Sequence, residues 1–313
     1  MTEVVRMPAY AIVLAVALCL IALSPWFTMF SLGNNTKIVK EMGLATVQLA
    51  GLLIAALSAS ASVSREIESR TATTVLSKPV GRLEFILGKY VGLVMALGVA
   101  FFLLTVTLLL AGRHGTLDTV RDTYDWPIVV LGVLALVLAL AAGFVGNYFL
   151  GWHFGATCVW AAVPLFGLAL FAICFVDKNW LPQAFGARFD PQLIIGSVLI
   201  LFAIMVITAV ALAASTRLKI VGTLLVCVLV LLAGLLSDYF LKEAATKHGV
   251  GAWAAWIGHS VLPNFQHFWV GDAIIRETAV PLRYALIALG YAALYSAGAL
   301  SFALMLFQER ELA

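Results

Sequence analysis

Long apolar runs, each close to the length of a membrane-crossing helix, recur along the whole chain. About 20 predominantly apolar residues are needed to cross roughly 30 Å of hydrocarbon as a helix. The hydropathy pattern predicts eight such helices, approximately at residues 8–30, 46–63, 87–111, 127–150, 154–175, 193–213, 220–236 and 282–307. Only Gly151, Trp152 and His153 separate the fourth from the fifth. The predicted fold is all-α: a polytopic transmembrane helix bundle of six to eight spans.

Composition agrees with a membrane protein and excludes a soluble one. The chain is 63% hydrophobic and 11% charged, whereas soluble domains are about 45–50% apolar and about 25% charged. A formal net charge of +3 is too small to indicate a nucleic-acid partner. The four cysteines lie in apolar runs without metal-ligand spacing, so no metal site is expected. We predict one membrane domain over residues 1–313, with a sizeable outer-face segment at 238–281.

Charge placement predicts the orientation. With the N-terminus in the cytoplasm, Lys and Arg are denser in the predicted inner loops than in the outer ones, as the positive-inside rule requires. An even number of spans then places both termini in the cytoplasm. The interiors of the predicted spans contain no Asp, Glu, Lys, Arg or His, although ion-coupled carriers generally need ionisable groups within the membrane. Energy for transport is therefore expected to enter from outside the bilayer.

Ser64 to Gly92 differs from everything around it. Eight of the 35 Lys, Arg, Asp and Glu side chains of the chain lie between Arg65 and Lys89. The apolar spacing predicts a short amphipathic helix continuing from the second span, and Pro79 with Gly81 predicts a turn. A second helix is expected to restart at Leu83 and to run into the third span. An ordinary basic loop would also satisfy the topology rule, but an apolar stripe facing water indicates a partner.

This segment resembles the cytoplasmic signature of ABC-2-type permeases, the membrane subunits of one group of ATP-driven transporters. Its pattern is matched by Glu68, Arg70-Thr71, Val75-Leu76, Ser77-Lys78-Pro79-Val80, Arg82 and Gly88-Lys89. Leu262-Pro263-Asn264-Phe265 resembles an outer-face motif of that family, and the ending Phe307 to Leu312 resembles its tail. The family commonly has six spans, so the surplus lies between Pro127 and Ala213. The subgroup resembled includes the permease for copper-site maturation of nitrous oxide reductase, but no copper-binding Met, His or Cys cluster is visible.

The resemblance implies a function and a set of site residues. The segment 64–89 would be the coupling helix that docks in a cleft of a separate ABC ATPase subunit. The implied coupling residues are Glu66, Glu68, Arg70, Thr71, Val75, Leu76, Lys78, Pro79, Arg82 and Lys89. No phosphate-binding loop occurs in the chain, so ATP and Mg belong to the partner and this chain has no cofactor or catalytic residue. The resemblance also implies a second permease copy, as a homodimer or a heterodimer, and contact with membrane lipid. It implies export as the direction of transport and the plasma (inner) membrane as the location.

Two other classes of function stay open at this point. A membrane-embedded enzyme would use His259, His267 and Asp272 of the outer-face segment, whose separations match no metal or catalytic motif. A non-transporting assembly or scaffold subunit would not need an ATPase-docking element. Asp118, Asp122 and Asp125, with Arg113 and Arg121 among them, are expected to form a solvated loop.

Overall fold

The computed structural model describes residues 1–27, 35–68, 81–116, 123–239, 253, 258, 261–276 and 278–311. At 35–36, 64–68, 82, 275 and 308–311 it describes the backbone alone. The helices are α1 (Thr2–Val5), α2 (Pro8–Phe27), α3 (Asn35–Glu68), α4 (Arg82–His114), α5 (Trp126–Leu150), α6 (Phe154–Ile173), α7 (Pro191–Ser215), α8 (Ile220–Ser237), α9 (Gly271–Ile275) and α10 (Leu282–Glu311). A 3-10 turn lies at Phe265–His267.

Eight of these helices, α2 to α8 and α10, are long and apolar enough to cross a membrane. Each corresponds to one predicted span, which confirms the all-α fold. In the described part of the chain, extended pairing is limited to an isolated bridge between Val176 and Pro182. Hydrocarbon offers no hydrogen-bond partners, whereas a helix pairs its backbone N–H and C=O groups internally. Apolar runs of this length therefore form helices in a membrane.

The short break between α5 and α6 confirms the division into a fourth and a fifth span. Gly151 has a φ of 67°, a left-handed conformation that glycine adopts without a Cβ penalty. The Trp152 N–H donates to the Gly146 carbonyl at 3.0 Å, and the Asn147 amide donates to the Trp152 carbonyl at 2.8 Å. The turn is therefore closed by its own hydrogen bonds.

Two helices extend furthest beyond their predicted spans. The helix α3 begins at Asn35 instead of near residue 46, and α4 runs from Arg82 to His114 instead of from 87 to 111. The added turns contain Lys40 and Arg113, which the predicted spans had excluded. Hydropathy underestimates such helices because charged end turns lower the local average, although they continue the same hydrogen-bonding ladder.

The chain divides into two compact units. One comprises residues 1–54, 95–197 and 273–279, and the other comprises 55–94, 198–272 and 280–313. In the first unit, α5 packs along α6 through a buried row of small residues, Ala135, Ala139, Gly143 and Gly146. Such residues let two helix backbones approach closely in lipid. The opposite side of α5 exposes large apolar side chains, Val133, Val137 and Phe144 among them.

The contact between α5 and α6 can be tested at Gly143. A Cβ at this position would collide with the sulfur of Cys158 and lie 3.2 Å from the Phe154 ring. We expect Gly143→Ala to lower the free energy of unfolding by about 1–3 kcal/mol, as overpacking does. Thermal unfolding in detergent, followed by tryptophan fluorescence, measures the change.

Gly132 supplies the control on the same helix, because a Cβ there meets no atom within 4 Å. Gly132→Ala is expected to leave the melting temperature unchanged or to raise it slightly, since alanine favours the helix. Adding Cys158→Ala to Gly143→Ala should restore most of the lost stability. Equal melting temperatures for Gly143→Ala and the wild type would contradict the close packing.

Candidate functional site

The backbone on both sides of the predicted coupling segment is helical. The helix α3 continues past Val63 without a break to Glu68, so Glu66 and Glu68 lie in its last turn. The helix α4 restarts at Arg82. The predicted continuation of the second span and the predicted restart are thus confirmed. Arg70, Thr71, Val75, Leu76, Lys78 and Pro79 lie outside the described residues, so the turn and its ATPase contacts stay predictions.

Glu84 stabilises the first turn of α4. Its carboxylate accepts a hydrogen bond from the Gly81 N–H at 3.3 Å, and the Gly81 carbonyl accepts one from the Phe85 N–H at 3.1 Å. An acidic residue at the third helical position commonly reaches back to the capping residue in this way, and its charge suits the positive end of the helix dipole. The sequence Gly-Arg-Leu-Glu contains this signal, but the sequence analysis missed it.

Lys89 joins α4 to α3. Its ammonium donates to the Ser62 hydroxyl at 2.8 Å and lies 5.9 Å from the centroid of the Phe85 ring. Hydrogen bonding and cation–π attraction both offset the cost of holding a half-buried charge. The sequence analysis assigned Lys89 to the ATPase contact. The structure gives its ammonium contacts within its own chain.

Phe85 extends this connection to the last span. Its ring stacks on that of Phe307 in α10, with centroids 5.7 Å apart and planes inclined by 28°. Beside Phe307, the Leu306 carbonyl accepts a hydrogen bond from Arg217 at 3.0 Å. We call Ser62, Phe85, Lys89 and Phe307 the stem of the coupling segment. The stem joins three helices, α3, α4 and α10, at the base of the predicted docking element.

The predicted outer-face motif, Leu262 to Phe265, forms a tightly bonded turn. The Asn264 side-chain oxygen accepts from the Gln266 N–H at 2.9 Å, and its amide donates to Asp238 at 2.9 Å. The Asn264 N–H donates to the Tyr291 hydroxyl at 2.8 Å. Asn264 is 5% exposed and Phe265 1%. The motif therefore holds the end of α8 and the first half of α10 together.

Close packing beneath this turn requires a glycine. A Cβ on Gly234 would collide with the Pro263 carbonyl oxygen and with the Phe265 ring. The hydroxyl of Tyr295 donates to the Leu262 carbonyl at 3.3 Å, and the Gln266 amide donates to the Leu235 carbonyl at 2.7 Å. The sequence analysis missed these partners. The available signal was Tyr291 and Tyr295, two hydroxyls four residues apart on one face of an apolar helix.

Of the three residues suggested for an enzyme, the structure describes His267 and Asp272. His259 lies outside the described residues. The exposed His267 packs its ring edge on Tyr291, with centroids 5.5 Å apart, and Asp272 is exposed in the first turn of α9. In the part of the chain that the structure describes, no group of three His, Cys, Asp or Glu residues could hold a metal ion.

The expectation of a solvated loop is wrong for Arg113 and Asp125. Their side chains are fully buried, and the guanidinium Nε lies 3.2 Å from the carboxylate. Arg113 also donates to the Ile173 carbonyl and, at 2.6 Å, to the Val176 carbonyl. Ile173 ends α6 and Val176 follows it, so neither carbonyl lies in a helix interior and both can accept from the arginine. Nearby, burial raises the pKa of the Cys174 thiol, and Arg113 opposes that rise.

The Asn264 hydrogen bonds generate a prediction with an internal rescue. Asn264→Asp puts a second carboxylate beside that of Asp238 and removes the amide donor, which should cost about 1–3 kcal/mol of stability. The double variant Asn264→Asp/Asp238→Asn restores an amide–carboxylate pair with the roles exchanged, so most of the stability should return. Thermal unfolding in detergent at neutral pH measures both, with the carboxylate-to-amide exchange Glu41→Gln at an exposed position as the control. Equal loss in the single and double variants would refute the pairing.

Comparison with known proteins identifies the family. A model of the ABC-2 family transporter proteins matches residues 10–221, more than half of the 313 residues, including the whole coupling segment. No curated protein and no solved structure gave a match. The match ends at the start of α8, before the turn at Asn264. The chain therefore belongs to the ABC-2 transporter family and is a multi-pass integral membrane protein, the membrane subunit of a transporter.

Proposed function

We propose that the chain is the permease subunit of an ATP-driven transporter and that a separate ABC ATPase drives it through residues 64–89. The observation that carries this proposal is the continuity of the flanking helices. The helix α3 runs from its span directly to Glu68, and α4 runs from Arg82 directly into its span. A displacement of the segment between them would therefore pass to two membrane helices without a flexible joint.

The stem supports the transmission of such a displacement. Lys89 bonds Ser62, and Phe85 stacks on Phe307, so α3, α4 and α10 are connected at one level. Glu84 caps the start of α4 and keeps its first turn from fraying. Stiff helix ends transmit a push, whereas frayed ends would absorb it.

We propose the remaining parts of the assembly from the family and the charge pattern. ATP and Mg bind the partner ATPase, and a second copy of this chain completes the permease pair. Both termini face the cytoplasm, and the membrane is the plasma (inner) membrane. The expected direction of transport is export. Similarity to the permease of nitrous oxide reductase maturation stays a prediction, and copper is not proposed as the cargo.

Charge reversal in the coupling segment tests the docking. Glu68→Arg/Arg82→Glu conserves net charge but inverts the local pattern, so we expect it to abolish co-purification with the cognate ATPase and the stimulation of its ATP hydrolysis. Mismatched charges at an interface oppose binding by juxtaposing like charges. The measurements are pull-down of the co-expressed subunits and ATP turnover in detergent or nanodiscs.

Asp272→Arg/Arg276→Glu is the matched control, since it is also a net-neutral double reversal and both side chains are exposed. It should bind and stimulate the ATPase as the wild type does. Binding of the ATPase to Glu68→Arg/Arg82→Glu with wild-type affinity would reject residues 64–89 as the docking element.

Lys89 gives a different expected outcome because its ammonium contacts its own chain. Lys89→Met removes the bond to Ser62 and keeps the length of the side chain. We expect unchanged ATPase binding but a loss of stimulated ATP hydrolysis of about tenfold, within the usual range of coupling between sites. Lys89→Arg should restore part of it, since arginine can also donate to Ser62.

Lys219→Met is the control for loss of a positive charge, because Lys219 is exposed. This variant should stimulate ATP hydrolysis by the ATPase as fully as the wild type does. If Lys89→Met instead lost ATPase binding, Lys89 would belong to the docking surface rather than to the stem. Wild-type stimulation in Lys89→Met would remove Lys89 from the coupling mechanism altogether.

A further inference from the structure

The connection between α6 and α7, residues 174–190, is held in one shape by its own backbone. We call it the aromatic loop. The Asp177 N–H donates to the Leu181 carbonyl at 2.7 Å, and the Gln183 N–H donates to the Phe175 carbonyl at 2.8 Å. Val176 and Pro182 form the isolated bridge, and Arg188 pairs with Asp177 at 2.8 Å. Its two sides are thus bonded to each other like a short hairpin.

Arg113 contacts both ends of the loop. Besides its bonds to the carbonyls of Ile173 and Val176, its guanidinium lies 5.3 Å from the centroid of the Phe189 ring. Phe189 is near the far end of the loop, so one buried side chain contacts both of its ends. The ion pair with Asp125 keeps that side chain in place.

The tip of this fixed frame is exposed and apolar. Trp180 has a φ of 63°, a left-handed conformation that residues with a Cβ disfavour. Trp180 is 50% exposed, Leu181 61% and Phe185 65%. A strained backbone that exposes apolar side chains indicates a surface for binding rather than one that packs in the core.

The exposed rings continue the outer surface of α6. Phe171 lies on that helix and is 59% exposed. Its ring meets that of Phe175 at 5.2 Å, and Phe175 meets Phe185 at 5.3 Å. Leu168, one turn earlier, is 65% exposed. A row of apolar side chains therefore runs from a membrane span into the loop without interruption.

We propose that the aromatic loop is a preformed lipid anchor that inserts Trp180, Leu181 and Phe185 into the bilayer at the boundary between head groups and acyl chains. Continuity with α6 identifies the occupant, because exposed apolar side chains of a membrane-spanning helix face lipid. A tryptophan suits this depth, since its ring is apolar and its N–H needs a polar partner. The rigid frame means that little conformational entropy is lost on insertion. The anchor does not depend on coupling to an ATPase.

Nitroxide accessibility tests the anchor in the full chain. Leu181→Cys and Phe185→Cys are made in a background with Cys19, Cys158, Cys174 and Cys227 replaced by Ala. The labelled proteins are reconstituted in vesicles of phosphatidylcholine and phosphatidylglycerol. We expect both labels to be more accessible to oxygen than to an aqueous nickel chelate, as a label at Leu168 on α6 is. A label at the exposed Lys219 gives the aqueous reference.

Two outcomes would overturn the proposal. Chelate accessibility equal to that at Lys219 would mean that the loop lies in water. Low accessibility to both reagents would mean that protein covers it, such as a second copy of this chain.

A second measurement uses the chain with its native cysteines, in case the cysteine-free background does not fold. Trp180→Phe should reduce the tryptophan emission that acyl-brominated phosphatidylcholine quenches and leave the iodide-quenched emission unchanged. A loss confined to the iodide-quenched emission, or no loss from either, would refute the lipid anchor.

Discussion

Every backbone N–H and C=O in hydrocarbon must find its partner within the protein, and the rest of this structure depends on that constraint. Eight apolar helices meet it along their lengths. Where a helix ends, side chains supply the missing partners. Arg113 donates to the carbonyl of Ile173, which ends α6, and to that of Val176 just beyond it. Asn264 and Tyr291 bond the turn that precedes α10. Arg113, Asp125 and Asn264 are buried at or next to such ends, where the unsatisfied backbone groups are.

The same constraint shapes the proposed coupling. Glu84 satisfies an N–H at the start of α4, so the helix can begin outside its apolar stretch and remain ordered. Lys89 places a positive charge near the end of a span, where its ammonium bonds Ser62 and lies near the Phe85 ring. Both residues therefore serve the ends of long helices, and the proposed docking element lies between helices that continue to Glu68 and restart at Arg82. In the proposed mechanism, ordered helix ends at that place pass the movement of an ATPase on to the membrane helices.

Two irregular connections show opposite uses of aromatic side chains. The turn at Asn264 buries Phe265 and Phe268, each at 1% exposure. The hydroxyls of Tyr291 and Tyr295 form hydrogen bonds with backbone groups of this turn. The aromatic loop, in contrast, presents Trp180 and Phe185 outward from a closed frame. A loop that buries its rings stabilises the fold, whereas a loop that exposes them on a fixed frame indicates a binding surface.

The sequence alone determined the elements and the family. Run length and hydropathy placed eight helices, and Gly151 marked the break between α5 and α6, because these signals are local. The resemblance to ABC-2 permeases also rested on a continuous stretch of residues. Tertiary structure decided the partners: Lys89 with Ser62, 27 positions away, Arg113 with Ile173, 60 away, and Asn264 with Asp238, 26 away. Such pairs depend on the rotation and register of packed helices, which hydropathy does not encode, and this is why Asp125 looked solvated in sequence and is buried in the fold.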